Sequence, residues 1–309
     1  LIKVRNLTKY YGERLAVDNI SFDVGKGDIV GLLGPNAAGK TTTMRILTGF
    51  LMPTRGDAWI ADCNMAVDSL EGRKHIGYMP ESVPLYADMT VRDYLKFFAR
   101  LRGLDSNRVN RRLDDVVSLC SLEEYIDTII GKLSKGYRQR VGLAQSIIHE
   151  PEVLILDEPT VGIDPLQVSQ TRNLIKELGK DHTILISTHI LPEVSVTCNR
   201  VIIINRGKII AEDSIENLSA IVKGARRLRL EIKGPQDQII KRLQRIDGVR
   251  RISRDGNCLI IESPIQVDPR AQITETVVKS GWTLLSIETV EMSLEDIFLQ
   301  LTSKEEPEQ

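Results

Sequence analysis

The sequence predicts an α/β protein in two parts: a large domain with a mostly parallel sheet and a helical subdomain, then a small α+β domain of ferredoxin-like order. Three observations predict it. Strand-sized apolar runs, DIVGLL at 28–33, VLILD at 153–157, TILIS at 183–187 and VIIIN at 201–205, are interleaved with helical segments. Between about 85 and 150 the pattern is helical throughout. After about residue 224 the rhythm changes to strand, helix, strand, strand, helix, strand.

Each element has a local reason. Short β-type runs at 2–5 and 20–24 flank a turn-rich stretch, and the run at 28–33 is a buried strand that ends directly in a glycine-rich loop. A helix is expected to follow from about Lys40 to Leu47. In the helical stretch Tyr94, Phe98 and Leu101 share one face, and Leu113, Val116, Val117 and Cys120 share another. The polar helical segment 165–180 separates the strands at 153–157 and 183–187, and such alternation implies a mostly parallel sheet. A helical segment at 214–222 leads to strands at 228–232, 248–253, 258–262 and 283–290, with helices at 236–245 and 269–280. That is the ferredoxin-like split unit. A last helix at 293–302 opens with Ser293 as N-cap and Asp296 three residues on. The expected domains are therefore 1–222 and 223–303, with a charged, disordered tail at 304–309.

The 309 residues suit two domains with full cores. Forty-one Lys and Arg against 42 Asp and Glu give a net charge of −1, so bulk charge supplies no attraction for a nucleic acid and none is expected as partner. Cys63, Cys120, Cys198 and Cys258 lie far apart, with no zinc-type spacing, and read as reduced thiols of a cytoplasmic protein. No apolar run approaches the ~18 residues that span a bilayer, and no signal sequence is visible, so membrane association is expected to go through a partner. The first residue is Leu1 rather than Met, so a residue or short segment upstream is expected. Arg226, Arg227, Arg229, Arg250, Arg251 and Arg254 make the second domain locally basic, which reads first as a solvated sheet face and second as a lipid-headgroup or regulatory contact.

The chemistry starts at Gly34-Pro35-Asn36-Ala37-Ala38-Gly39-Lys40-Thr41-Thr42, which fits G-x-x-x-x-G-K-[ST] between a strand and a helix. Glycines let backbone N–H groups converge on phosphate oxygens, the helix N-terminus adds positive potential, Lys40 reaches the β and γ phosphates and Thr41 offers its hydroxyl to Mg²⁺. Hydrolysis also needs a carboxylate for the metal and a group to orient water. The strand 153–157 delivers both acids at its C-terminal end, Asp157 for the Mg²⁺ shell and Glu158 for the water.

With Leu133-Ser134-Lys135-Gly136-Tyr137-Arg138-Gln139-Arg140 the set resembles the nucleotide-binding subunit of an ATP-binding cassette (ABC) transporter over roughly residues 1–220. The resemblance implies a P-loop ABC ATPase fold, with an antiparallel β subdomain beside the parallel sheet. It implies that Ser134 and Gly136 face the γ-phosphate held by the other protomer of a head-to-tail dimer. The commoner family form carries a glycine and a glutamine where this chain has Lys135 and Tyr137. His189 matches the family's switch histidine, Asp164 the loop that joins the two active sites, and Tyr11 the aromatic that stacks on adenine. Glu81 stands where most relatives carry a glutamine that touches Mg²⁺ and senses the membrane partner, and carboxylates suit Mg²⁺. Glu81 together with SLEDIFLQL at 293–301 resembles the export branch that includes gliding-motility, sodium-extrusion and multidrug exporters.

The expected activity is that of a transport-coupled ATPase, a homodimer closing on ATP and Mg²⁺ to drive a separate transmembrane permease, peripheral on the inner face of the cell membrane. The segment from Glu81 through 91–103 is the expected docking surface. A soluble ABC ATPase acting on a ribosome or other macromolecule is the alternative, but would usually carry two cassettes in one chain. A chromosome-maintenance ATPase would place a long coiled coil between Lys40 and Ser134, where fewer than a hundred residues lie.

Overall fold

The computed structural model describes residues 1–215, 217, 225–256, 258–264 and 266–290. The chain divides into two compact units, Leu1–Ile215 and Glu216–Gln309.

In the first unit, strands β1 (Ile2–Tyr11), β2 (Arg14–Val24), β3 (Ile29–Leu33), β4 (Arg55–Ile60) and β5 (Cys63–Asn64) are broken by helix α1 (Lys40–Leu47). Helix α2 (Ser69–Gly72) and strand β6 (Ile76–Met79) precede the helical subdomain of α3 (Val91–Leu101), α4 (Ser106–Leu119) and α5 (Lys135–Ile147). Strand β7 (Val153–Asp157), helix α6 (Pro165–Leu178), strand β8 (Thr183–Thr188), helix α7 (Leu191–Thr197) and strands β9 (Arg200–Asn205) and β10 (Lys208–Ser214) complete it. A six-stranded sheet runs β10-β9-β3-β8-β7-β6, parallel except for the β9–β10 hairpin, and β2-β1-β4-β5 form a separate antiparallel sheet.

The continuous apolar strands are explained by two cores. Val153 and Ile155 of β7 and Leu185 of β8 pack with Met44 and Leu47 of α1 and with Ile2, Val4 and Phe22 of the antiparallel sheet. Their neighbours Leu154, Leu156, Ile184 and Ile186 point the other way, into Tyr94, Leu95, Val116 and Val141 of the helical subdomain. Side chains alternate across a strand, so a strand covered on both faces is apolar at every position.

Three local readings change. The runs at 2–5 and 20–24 are ends of strands of 10 and 11 residues. Register shifts after Val4, Leu7 and Lys9, with Asn6 and Asn19 both at φ 49°, interrupt the alternation that would have marked their full length. Leu101, read as sharing one face with Tyr94 and Phe98, is the last residue of α3 and is 65% exposed while Tyr94 is buried.

The second unit has β11 (Ala225–Lys233), α8 (Gln236–Leu243), β12 (Arg251–Asp255), β13 (Cys258–Pro264), α9 (Arg270–Lys279) and β14 (Thr283–Val290). The sheet order β12-β13-β11-β14, antiparallel throughout, is the ferredoxin-like arrangement. Leu228, Leu230 and Ile232 of β11 pack on Ile239, Leu243, Ile273 and Val277 of the two helices. The strand expected from 248 begins at Arg251 because Gly248, at φ +86°, lies in the turn that leaves α8. Within the basic cluster Arg227 pairs with Glu262 at 2.7 Å, Arg229 with Asp255 at 3.4 Å and Arg254 with Asp237. The expected helix at 293–302 and the tail 304–309 lie outside the described residues, as does most of the segment 214–222.

Candidate active site

Strand β3 delivers the loop 34–39 directly onto α1. Two of its glycines are required by close backbone approach: a Cβ on Gly34 would lie 2.3 Å from the Ile204 carbonyl, and one on Gly39, at φ +110°, 2.7 Å from the Ala16 carbonyl. No side chain caps α1, so its first-turn N–H groups, which a helix cannot pair internally, are left to the loop's concave side.

That concavity is a cavity of about 400 Å³ lined by Tyr11, Arg14, residues 36–42, Glu81, Glu158 and His189. The Lys40 side chain, 6% exposed, donates to the carbonyls of Gly34 (2.8 Å) and Pro35 (3.2 Å) and stands 3.2 Å from Glu158 Oε1. Glu158 Oε2 lies 2.9 Å from His189 Nδ1. Thr41 Oγ1 donates to Asp157 Oδ1 at 3.3 Å, and Ser187 Oγ donates to the same oxygen. Burial pushes the Asp157 carboxyl above the usual carboxylate range, and the Glu158 and Glu81 charges add to this against the two hydroxyl bonds. The two acids diverge because Glu158 takes a left-handed φ of 51°, its N–H bonded to Ser187 O and Ser187 Oγ.

The loop residues Asn36, Ala37, Ala38, Gly39, Lys40, Thr41 and Thr42 thus share one cavity with Tyr11, Glu81, Glu158 and His189, and Asp157 joins them through Thr41. Ser134, Gly136 and Asp164 do not line it. Ser134 caps α5, accepting from Tyr137 N, and Asp164 caps α6, accepting from Gln167 N at 3.0 Å. Gly136 is packed so closely on α6 that a Cβ would meet Gln167 Oε1 at 1.4 Å.

The model of the family "ABC transporter" matches residues 17–161. The bacitracin transport ATP-binding protein BcrA of Bacillus licheniformis is 34% identical over 97% of this chain and 97% of its own. The chain belongs to the ABC transporter ATP-binding proteins. The Nod factor export ATP-binding protein I of Ralstonia nicotianae is 33% identical over 99% of this chain and 94% of its own. Among solved structures, the ATP-binding subunit of an ABC transporter superposes with a TM-score of 0.66 at 29% identity, covering 72% of this chain and 93% of that one. A dimeric ATP-binding cassette in a post-hydrolysis state, bound to ADP and Pi, gives 0.64 over 70% of this chain and 99% of that one; at 23% identity it supports the fold alone.

For this ABC ATP-binding subunit, sequence reasoning missed Ser187 and Arg14. Ser187 was signalled as the hydroxyl that follows the buried apolar run Ile184–Ile186 of β8, and it lies in register with Asp157. Arg14 was signalled by its place across the hairpin from Tyr11.

Proposed function

We propose that this chain binds and hydrolyses ATP as one half of a head-to-tail homodimer, and that the cycle drives a separate membrane permease in export. The observation that carries the reading is the convergence of Lys40, Thr41, Asp157, Glu158 and His189 on one cavity beside a helix N-terminus. In it Lys40 exchanges its carbonyl and carboxylate partners for β and γ phosphate oxygens, and Tyr11 stacks on adenine. Glu158 orients the attacking water for in-line displacement, with His189 on the γ-phosphate. Gly34 and Pro35 shape the loop, and residues 36–42 contribute N–H donors. Ser134, Gly136 and Asp164 serve the partner's nucleotide, which fits their positions away from the chain's own cavity.

The donor set suits Mg²⁺: one hydroxyl and one carboxylate, hard oxygens in contact. Thr41 and Asp157 would hold the ion, with Glu81 at the cavity wall, and bound Mg²⁺ would supply charge neutralisation at the phosphates.

No helix among the described residues is long and apolar enough to cross a membrane, so the reading places the chain on the inner face of the membrane through its permease. Tyr86, Phe97 and Leu101, exposed on and before α3, suit the docking surface. The name of the Nod factor export relative supports export. Residues 1–222 form the ATPase domain and 223–303 an accessory domain, with 304–309 as tail and no nucleic acid as partner. Calorimetric titration on the folded variant tests the site: Lys40→Ala should weaken ATP binding by roughly tenfold or more, and should also lower the melting temperature because it leaves the buried Glu158 without its cation. Unchanged affinity rejects the phosphate assignment.

A further inference from the structure

We propose that Glu193 is a positioning residue for hydrolysis, clamping together the two turns that carry Glu158 and His189. The inference rests on the roles proposed above for those two residues.

Glu193 sits on α7, is 6% exposed and lines no part of the nucleotide cavity. A carboxylate so buried needs compensating donors, and it takes them from both active turns. Its Oε1 accepts from Thr160 Oγ1, and its Oε2 accepts from Thr188 Oγ1 at 2.9 Å. Thr160 is 5% exposed and Thr188 1%, so both bonds are sealed from water.

Each threonine fixes a turn. Thr188 Oγ1 also accepts from Ile190 N at 3.0 Å, which closes the 188–190 turn around His189. Thr160 lies inside the turn closed by Val161 N to Glu158 O at 3.2 Å, and that turn contains the left-handed Glu158 backbone. Such a conformation in a residue other than glycine persists only where surrounding contacts over-determine it. One carboxylate thereby spans the two segments whose side chains meet at Glu158 Oε2 and His189 Nδ1.

A third element joins the clamp. Arg172 of α6 places Nη2 3.8 Å from Glu193 Oε1, and its buried Nε has no hydrogen-bond partner among the described residues. Asp164 caps helix α6, so the clamp ties the hydrolytic pair to the segment proposed to face the second protomer.

The test compares Thr160→Val, which keeps volume and removes the hydroxyl, with Thr160→Ser, which restores it, and with Glu193→Gln, which keeps shape and removes charge. Steady-state phosphate release should show kcat lowered by roughly 10–100-fold in Thr160→Val and Glu193→Gln, the range of one hydrogen bond to a charged group. ATP affinity by calorimetry should stay within about twofold, and Thr160→Ser should recover most of the lost turnover. If Thr160→Val fails to fold, Glu193→Gln carries the same comparison. Turnover near wild type in both, or ATP affinity falling in step with kcat, overturns the proposal; so does a kcat loss that Thr160→Ser fails to reverse. Glu158→Gln run alongside separates the two readings. If it hydrolyses ATP normally, the assignment of Glu158 fails; if it is inactive while the clamp variants are unimpaired, the clamp alone fails.

Discussion

Replacing Glu158 by glutamine keeps the side chain's volume and removes its charge, so it separates water activation from phosphate binding. The carboxylate is 7% exposed, 3.2 Å from Lys40 Nζ and 2.9 Å from His189 Nδ1. At an effective dielectric of about 20, an ion pair at the Lys40 distance has about 5 kcal/mol of raw attraction. Desolvation of two buried ions offsets most of it. What remains holds Lys40 on the protein and opposes its transfer to phosphate, while the Gly34 and Pro35 carbonyls keep the ammonium satisfied in the variant. ATP affinity in Glu158→Gln should therefore be equal to wild type or up to about tenfold tighter. Turnover should fall by roughly 10²–10⁴, the span of general-base catalysis. Phosphate release gives the rate, calorimetry the affinity, and size-exclusion chromatography with MgATP should show a stable dimer. Hydrolysis within about tenfold of wild type would refute the role given to Glu158. A marked loss of ATP affinity would show instead that the carboxylate supports the phosphate cradle.

Asp157→Asn should behave differently from its neighbour: ATP affinity in Mg²⁺ falls roughly tenfold or more, affinity in EDTA is unchanged, and no trapped dimer forms. An equal loss with and without Mg²⁺ rejects the metal role. Burial, with Arg102 adding to it, lowers the His149 imidazole to about 4, while its Nε2 is bonded to Ile76 O at 3.0 Å. Below its unfolded value of about 6.5 the unfolded chain takes a proton that the folded chain refuses, so stability falls from pH 7 to pH 4 by about 3 kcal/mol on this account. Urea titrations should show His149→Gln losing correspondingly less over the same range; parallel curves reject the assignment. Ending the chain after Val222 should leave ATP affinity within about twofold, since every residue of the cavity precedes it. A folded truncate that binds no ATP would overturn the domain assignment.

What the sequence made legible follows from how strongly each residue constrains the backbone. The phosphate loop and the approximate span of the helix after it were readable, because glycines at 34 and 39 are dictated by the Ile204 and Ala16 carbonyls and the strand before them is wholly apolar. Strand β6 was not: it has four residues, and one is Gly77, where a Cβ would lie 2.0 Å from the Ser146 carbonyl of α5. That close approach replaces the apolar side chain that would have signalled a strand. Strands β1 and β2 were legible only at their ends, since their bulges break the period of two. The residues with motif spacing were readable, and the fold brings Lys40, Thr41, Glu81, Glu158 and His189 of that set to one cavity. Ser187, Arg14 and Glu193 belong to no spaced motif, so each acquires meaning only from the segment the fold brings against it: Asp157 for Ser187, Tyr11 for Arg14, Thr160 and Thr188 for Glu193.

In the proposed function the adjacent acids let one strand end serve two tasks. Had residue 158 continued the extended backbone of β7, Asp157 and Glu158 would simply have alternated across the sheet. The left-handed turn at Glu158 instead sends the two carboxylates to separate partners, hydroxyls for Asp157 and the Lys40–His189 pair for Glu158. Glu158 thereby faces a cation while Asp157 has only neutral hydroxyls and feels the Glu158 charge, so the two carboxylates sit in different environments, as the different roles proposed for them require. The same arrangement couples binding to chemistry. Under the proposed mechanism an incoming γ-phosphate competes with Glu158 for Lys40, so the contact that recruits the ammonium also frees Glu158 Oε1 to accept a hydrogen bond from water. His189 remains on Oε2 to hold the carboxylate's orientation, and the Glu193 clamp keeps the two turns in register while Lys40 changes partners.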